Sequence, residues 1–164
     1  MPNRNLFFTL TIVAALSGIP LALAAQEADP KPQQIIQQWA ATFNKNDAEL
    51  LSAFYDRSDE LEVVVSAGVR HRGFVALKKA YVDDMAAVQF YDSAAIEPST
   101  RILGDTAIVS FEHKFKARIK QDNSRWQIHI RTTTVLKRMD GEWKIVLEHS
   151  SPIMGIERFT PIAS

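Results

Sequence analysis

Two of the four histidines, His113 and His149, fall in stretches that alternate apolar and polar residues, and each shares a side with aromatic or aliphatic neighbours. An imidazole titrates near neutral pH, so either could act as an acid–base group on a bound molecule, with Tyr55, Tyr81 or Ser151 orienting it. Each fits equally well at the edge of a core, satisfied by a neighbour. In residues 143–151, Trp143, Ile145, Leu147, His149 and Ser151 share one face, while Lys144, Val146, Glu148 and Ser150 share the other. With no cysteine in the chain, thiol nucleophiles, thiolate metal sites and disulfides are excluded. Two histidines with no inward carboxylate fall short of the three protein ligands zinc takes, so no metal is expected, and no cofactor.

These side chains must be held by elements legible in the same pattern. Met139-Asp140-Gly141-Glu142 separates two β-rich runs and predicts a tight hairpin, because glycine accepts φ > 0. Residues 106–120 place Ala107, Val109, Phe111, His113, Phe115, Ala117 and Ile119 on one face. Residues 125–138 do the same for Trp126, Ile128, Ile130, Thr132, Thr134 and Leu136. Before them, Ile36, Trp39, Ala40, Phe43, Leu50, Leu51 and Phe54 recur at helical spacings over 33–55, with a break near Asn44-Lys45-Asn46-Asp47 that Asn46 or Asp47 can cap. A short strand over 61–66, a turn through Arg70-His71-Arg72 and a helix over 74–87 with Leu77, Tyr81 and Met85 on one stripe complete the pattern. Three strands follow, or four if residues 88–101 count as one. Helices followed by a meander of long strands predict an α+β domain with its helices packed on one sheet face.

At 164 residues the chain is one domain long. Arg4, the apolar run 6–16 and Ala22-Leu23-Ala24 predict a signal peptide over 1–24, a flexible leader over 25–32, a domain over 33–154 and a tail over 155–164. Cleavage would place the protein in the periplasm or outside the cell, with no membrane anchor left. It removes Arg4 and no acid, so 19 basic residues become 18 against 19 acidic ones. Near-neutrality gives no general attraction to nucleic acid or anionic membranes. The basic alternation Lys114, Lys116, Arg118, Lys120 is diluted by Glu112 and Glu148 and reads as a solvated or dimer-forming face.

The order helix, helix, short strand, helix, antiparallel sheet resembles the nuclear transport factor 2-like superfamily, and within it the SnoaL-like and ketosteroid-isomerase-like branch. The resemblance is carried by residues 35–55, His71-Arg72-Gly73, 104–111 and the hairpin 131–151, with Gly141, Trp143, Ile145, His149 and Ser151 as its most specific part. It implies a cone in which helices and a strongly curved antiparallel sheet enclose a pocket for a small, partly apolar molecule. Lining would come from Trp39, Phe43, Tyr55, Tyr81, Phe111, Phe115, Thr132, Thr134 and Trp143, with His113 and His149 as polar points. The same aromatics would also fill a closed core. The resemblance further implies a homodimer through the outer sheet face, and relatives that serve as association hubs make self-association a separate possibility. Ketosteroid isomerases combine a carboxylate base with a tyrosine and a protonated aspartate. Here Trp39 stands near the tyrosine position and Val63 to Val65 near the base, so steroid isomerisation is not expected. The readings are a pocket protein, or an isomerase, cyclase or hydratase using His149 or His113.

Overall fold

The computed structural model describes residues 31–155 and 157–163. The expected signal peptide and nearly all of the leader lie outside the described residues. Pro32, placed in the leader, instead opens helix α1 (Pro32–Phe43), where its fixed φ and missing N–H suit the first turn. The apolar stripe of α1 buries Ile35, Ile36, Trp39, Ala40 and Phe43. Asn46 turns the chain at φ 51°, and Asp47 then caps α2 (Ala48–Ser52) by accepting from the amides of Glu49 and Leu50 at 2.9 and 3.0 Å. Asp47→Ala is expected to lower stability by about 1 kcal/mol in a urea titration, since it removes an exposed cap and little packing.

Strand β1 (Glu62–Val64) is followed by β2 (Arg70–Arg72), a short antiparallel partner formed where the sequence suggested a turn. Helix α3 (Phe74–Ala87) buries Leu77, Tyr81 and Met85 at successive i, i+4 positions. The long strands β3 (Val88–Leu103), β4 (Thr106–Ile119), β5 (Arg125–Met139) and β6 (Glu142–Pro152) run antiparallel to one another. Asp140 and Gly141, both at positive φ, make the predicted tight turn between β5 and β6. The sheet order is β2-β1-β6-β5-β4-β3. Its β1–β6 junction is parallel, and the other strand pairings are antiparallel. In the expected tail, β7 (Phe159–Pro161) pairs with Trp126 to Ile128 of β5. It takes the edge left open where β6 ends with Pro152 opposite Ile130.

Bulges curve this sheet around the helices. In β3 the register shifts after Tyr91 and after Ile96, with Asp92 and Glu97 at positive φ. Two asparagines from the end of α1 and the following turn pin the bent strand. The Asn46 amide pairs with both backbone groups of Phe90 (2.7 and 2.8 Å), and the Asn44 amide with both of Ser93 (2.8 and 3.3 Å). Each side chain thus imitates one residue of a neighbouring strand. A third shift lies between β5 and β6, where Leu136 pairs with Ile145 but Val135 pairs with Leu147. Val146 is the extra residue, and every side chain after it changes face.

Candidate functional site

That one-residue bulge decides what the interior contains. Trp143 and Ile145 point inward as the alternation predicts, but the next inward residues are Glu148 and Ser150. His149 is exposed on the outer face, so the expected inward His149 is corrected, and Glu148 takes its place inside at 5 % exposure. Tyr55 is fixed opposite this strand. The chain on either side of it exchanges backbone hydrogen bonds with Ile145, the Ile145 amide donating to Phe54 and the Asp56 amide donating to Ile145, each at 2.9 Å. From that anchor the Tyr55 hydroxyl reaches Glu148 Oε2 at 2.6 Å.

The hydroxyl of Tyr55 is the hub of a buried network. While Glu148 is ionised the one proton of Tyr55 goes to it, and Tyr81, whose hydroxyl lies 2.7 Å away, then donates to Tyr55. The Trp39 indole N–H also donates to Tyr55, at 2.8 Å. On the sheet side, the Ser150 hydroxyl lies 2.9 Å from that of Thr132, and Ser150 favours the ionised form of Glu148. These donors favour the carboxylate, yet burial outweighs them and raises Glu148 from 4.5 to about 7. Burial and the neighbouring Glu148 charge likewise raise Tyr55 and Tyr81 well above the ordinary tyrosine value, so both stay protonated.

His113 lies inside, as its alternation predicts, at 2 % exposure. Its Nε2 meets Ser93 Oγ at 2.9 Å, and its ring lies 4.9 Å from that of Trp39 and 4.6 Å from that of Phe115. Burial lowers its pKa to about 3, so it is a neutral imidazole near pH 7 rather than a titrating acid–base group. Trp39 also meets Phe43 and Phe111 edge-on, at 5.0 and 5.8 Å. Trp39, Phe43, Tyr55, Tyr81, Phe111, Trp143, Thr132 and Thr134 are all buried, and Phe115 is half-buried. Thr132 and Thr134 are sealed completely, whereas Phe43 and Tyr81 keep 8 % of their surface accessible.

A separate cleft of about 1090 Å³ runs along the outer flank of α1 toward α2 and the β5–β6 turn, bordered by Gln38, Lys45, Leu50, Phe54, Trp143 and Lys144. Of the residues expected to line a pocket, Trp143 alone borders it. Residues 33–155 match the model of a family described as a SnoaL-like domain. The chain belongs to the SnoaL-like family. Among solved structures it is similar to a nuclear transport factor 2-like superfamily protein from Salmonella enterica serovar Typhimurium, with TM-score 0.64 and 20 % identity over 74 % of this chain and 89 % of that one. A nuclear transport factor 2-like protein from Cytophaga hutchinsonii gives 0.60 and 20 %, over 76 % and 100 %. A type 2 hexachlorocyclohexane dehydrochlorinase gives 0.63 and 15 %, over 80 % and 86 %. At these identities the likeness establishes the fold, a nuclear transport factor 2-like α+β cone. A comparison with curated proteins gives no match.

In this SnoaL-like chain Val63 of the short strand β1 is a buried apolar residue, and the interior carboxyl comes from β6. Reading by strict alternation missed it. The adjacent apolar pair Val146-Leu147 is the one local sign, since two neighbours cannot both face a core from a regular strand.

Proposed function

We propose that this SnoaL-like protein binds a small, partly apolar organic molecule at the inner edge of its cone and transfers a proton on it through Glu148. The observation that carries this reading is a buried carboxyl with no cationic partner among the described residues, raised to about 7 and therefore able to release and take up a proton at neutral pH. A buried carboxylate without a cation weakens a fold, so its presence fits a chemical role better than a structural one. Tyr55 orients the carboxyl, and Trp39 and Tyr81 orient Tyr55. The histidines do not serve this role: His113 is held neutral and His149 faces away. The fold shared with a protein named for dehydrochlorination, a reaction in which a proton leaves carbon, is compatible with such chemistry.

Export to the periplasm or beyond rests on Arg4, the apolar run 6–16 and Ala22-Leu23-Ala24. Pairing of two copies through the outer sheet face is supported by an apolar row across three strands, in which Ile108, Val135 and the exposed Leu147 lie in register.

Deuterium exchange tests the chemistry before the natural substrate is identified. Small cyclic and aryl ketones are incubated with the mature protein in D2O, and loss of their α-proton signals is followed by NMR. At least one should exchange faster than in buffer, and Glu148→Gln should slow that exchange about a hundredfold or more. His149→Ala should leave it unchanged. Exchange at the wild-type rate in Glu148→Gln would remove Glu148 from the mechanism.

A further inference from the structure

Glu148 is sealed from the solvent that must supply and remove its proton. It is buried, and neither the cleft beside α1 nor a smaller one beside Arg118 and Arg125 is bordered by it. The groups bonded to it are therefore the route. While Glu148 is ionised, Tyr55 donates to it and accepts from Trp39 and Tyr81, so every proton among these hydroxyls and the indole has an acceptor. A proton on Glu148 Oε2 reverses that order. Glu148 then donates to Tyr55, whose oxygen is filled by Glu148 and Trp39, and the Tyr55 proton turns to Tyr81 across 2.7 Å. Tyr81 must in turn direct its own proton away from Tyr55, and the Trp39 indole, a donor only, cannot take it.

A carboxylate stands beyond Tyr81. Asp84 follows it at i+3 on α3, a spacing that makes side chains neighbours, and the Asp84 charge acts on the Tyr81 hydroxyl. Partial burial and the adjacent Asp83 raise the Asp84 pKa, while His71 opposes them and favours its ionised form. His71 pairs with Val63 of β1, which pairs in turn with Glu148, so the three share the inner sheet face. We infer that Glu148 exchanges its proton with solvent through Tyr55 and Tyr81, with Asp84 as the outer acceptor. Outward, the Glu148 proton passes to Tyr55 as that of Tyr55 passes to Tyr81 and that of Tyr81 to Asp84, directly or across a bridging water. Each O–H bond that breaks is matched by one that forms. Both tyrosines hold their protons at neutral pH, so the transfers are concerted and leave no tyrosinate. The inference rests on Glu148 titrating near neutrality, as in the proton transfer proposed above, and adds the residues that recharge it.

The 13C-labelled carboxyl resonance of Glu148, assigned by its absence in Glu148→Gln, is followed in the mature protein without substrate. Its pH titration gives the midpoint, and relaxation dispersion near that midpoint gives the rate of proton exchange. Tyr81→Phe keeps the ring and its packing, and should slow exchange at least about tenfold while the midpoint stays at about 7. Asp84→Asn should slow it about threefold or more. Asp83→Asn, at an exposed position paired with Lys79, should leave it unchanged. Exchange at the wild-type rate in Tyr81→Phe would overturn the path, because Glu148 would then take its proton on the other oxygen without the tyrosines. Slowing in Tyr81→Phe with none in Asp84→Asn would overturn Asp84 as the acceptor. Either result leaves the proton transfer proposed for Glu148 in place. A Glu148 midpoint at the ordinary 4.5 would remove that transfer and the path together.

Discussion

Glu148→Gln is expected to make the protein more stable above neutral pH, by about 3 kcal/mol, while removing the proton transfer proposed for it. The sign follows from the raised carboxyl. Unfolded, Glu148 ionises near 4.5; folded, it holds its proton to about 7. Between these values the folded state binds a proton that the unfolded state has released, so stability declines as pH rises through the interval and levels off above it. Glutamine has no charge to bury, and its carbonyl can still accept from Tyr55. Urea titrations at about pH 4 and about pH 9 should therefore give similar midpoints for the two proteins at the lower pH and a higher midpoint for the variant at the upper one. Parallel pH dependence would mean that Glu148 is solvated or paired in solution, and the acid–base reading would lose its foundation. A substitution that stabilises the fold while abolishing turnover is the behaviour of a group retained for chemistry.

The distinction between what the sequence disclosed and what it concealed runs along the same strand. Helices α1, α2 and α3 and strands β4 and β5 were legible because their apolar periods are uninterrupted and their boundaries carry chemistry, as in the Asp47 cap and the Asp140-Gly141 turn, whereas β3, broken by two register shifts, was not. Those signals are local. The bulge at Val146 is not, because it depends on how β6 must bend to follow β5 around the helices. One inserted residue exchanges His149 for Glu148 and so changes the polar group of the interior. The neutrality of His113 was hidden for a related reason: its place in the alternation shows that it points inward, but its depth depends on Trp39, Phe43 and Phe115 closing over it. β7 had no apolar alternation to announce it, and it exists because β6 stops short of the end of β5.

Tyr55→Phe should cost about 3 kcal/mol, far more than one neutral hydrogen bond contributes, because one hydroxyl serves three partners. Without it the Trp39 N–H, the Tyr81 hydroxyl and Glu148 Oε2 all lose a bond in a buried setting, while the ring and its packing remain. Tyr81→Phe provides the comparison. It removes only the donor to Tyr55, which keeps its bonds to Trp39 and Glu148, so its cost should be about 1 kcal/mol. The two variants should differ in pH dependence as well. The bond from Tyr55 favours the ionised form of Glu148, so deleting it moves that carboxyl above about 7. A base must be ionised to accept a proton, and the midpoint of ketone exchange in Tyr55→Phe should shift toward alkaline pH, with much of the lost rate recovered there. If the profile of Tyr55→Phe overlays that of wild type while stability falls as stated, Tyr55 supports the fold without setting the proton affinity of Glu148. An alkaline shift confined to Tyr55→Phe would identify its hydroxyl as the group that tunes the base.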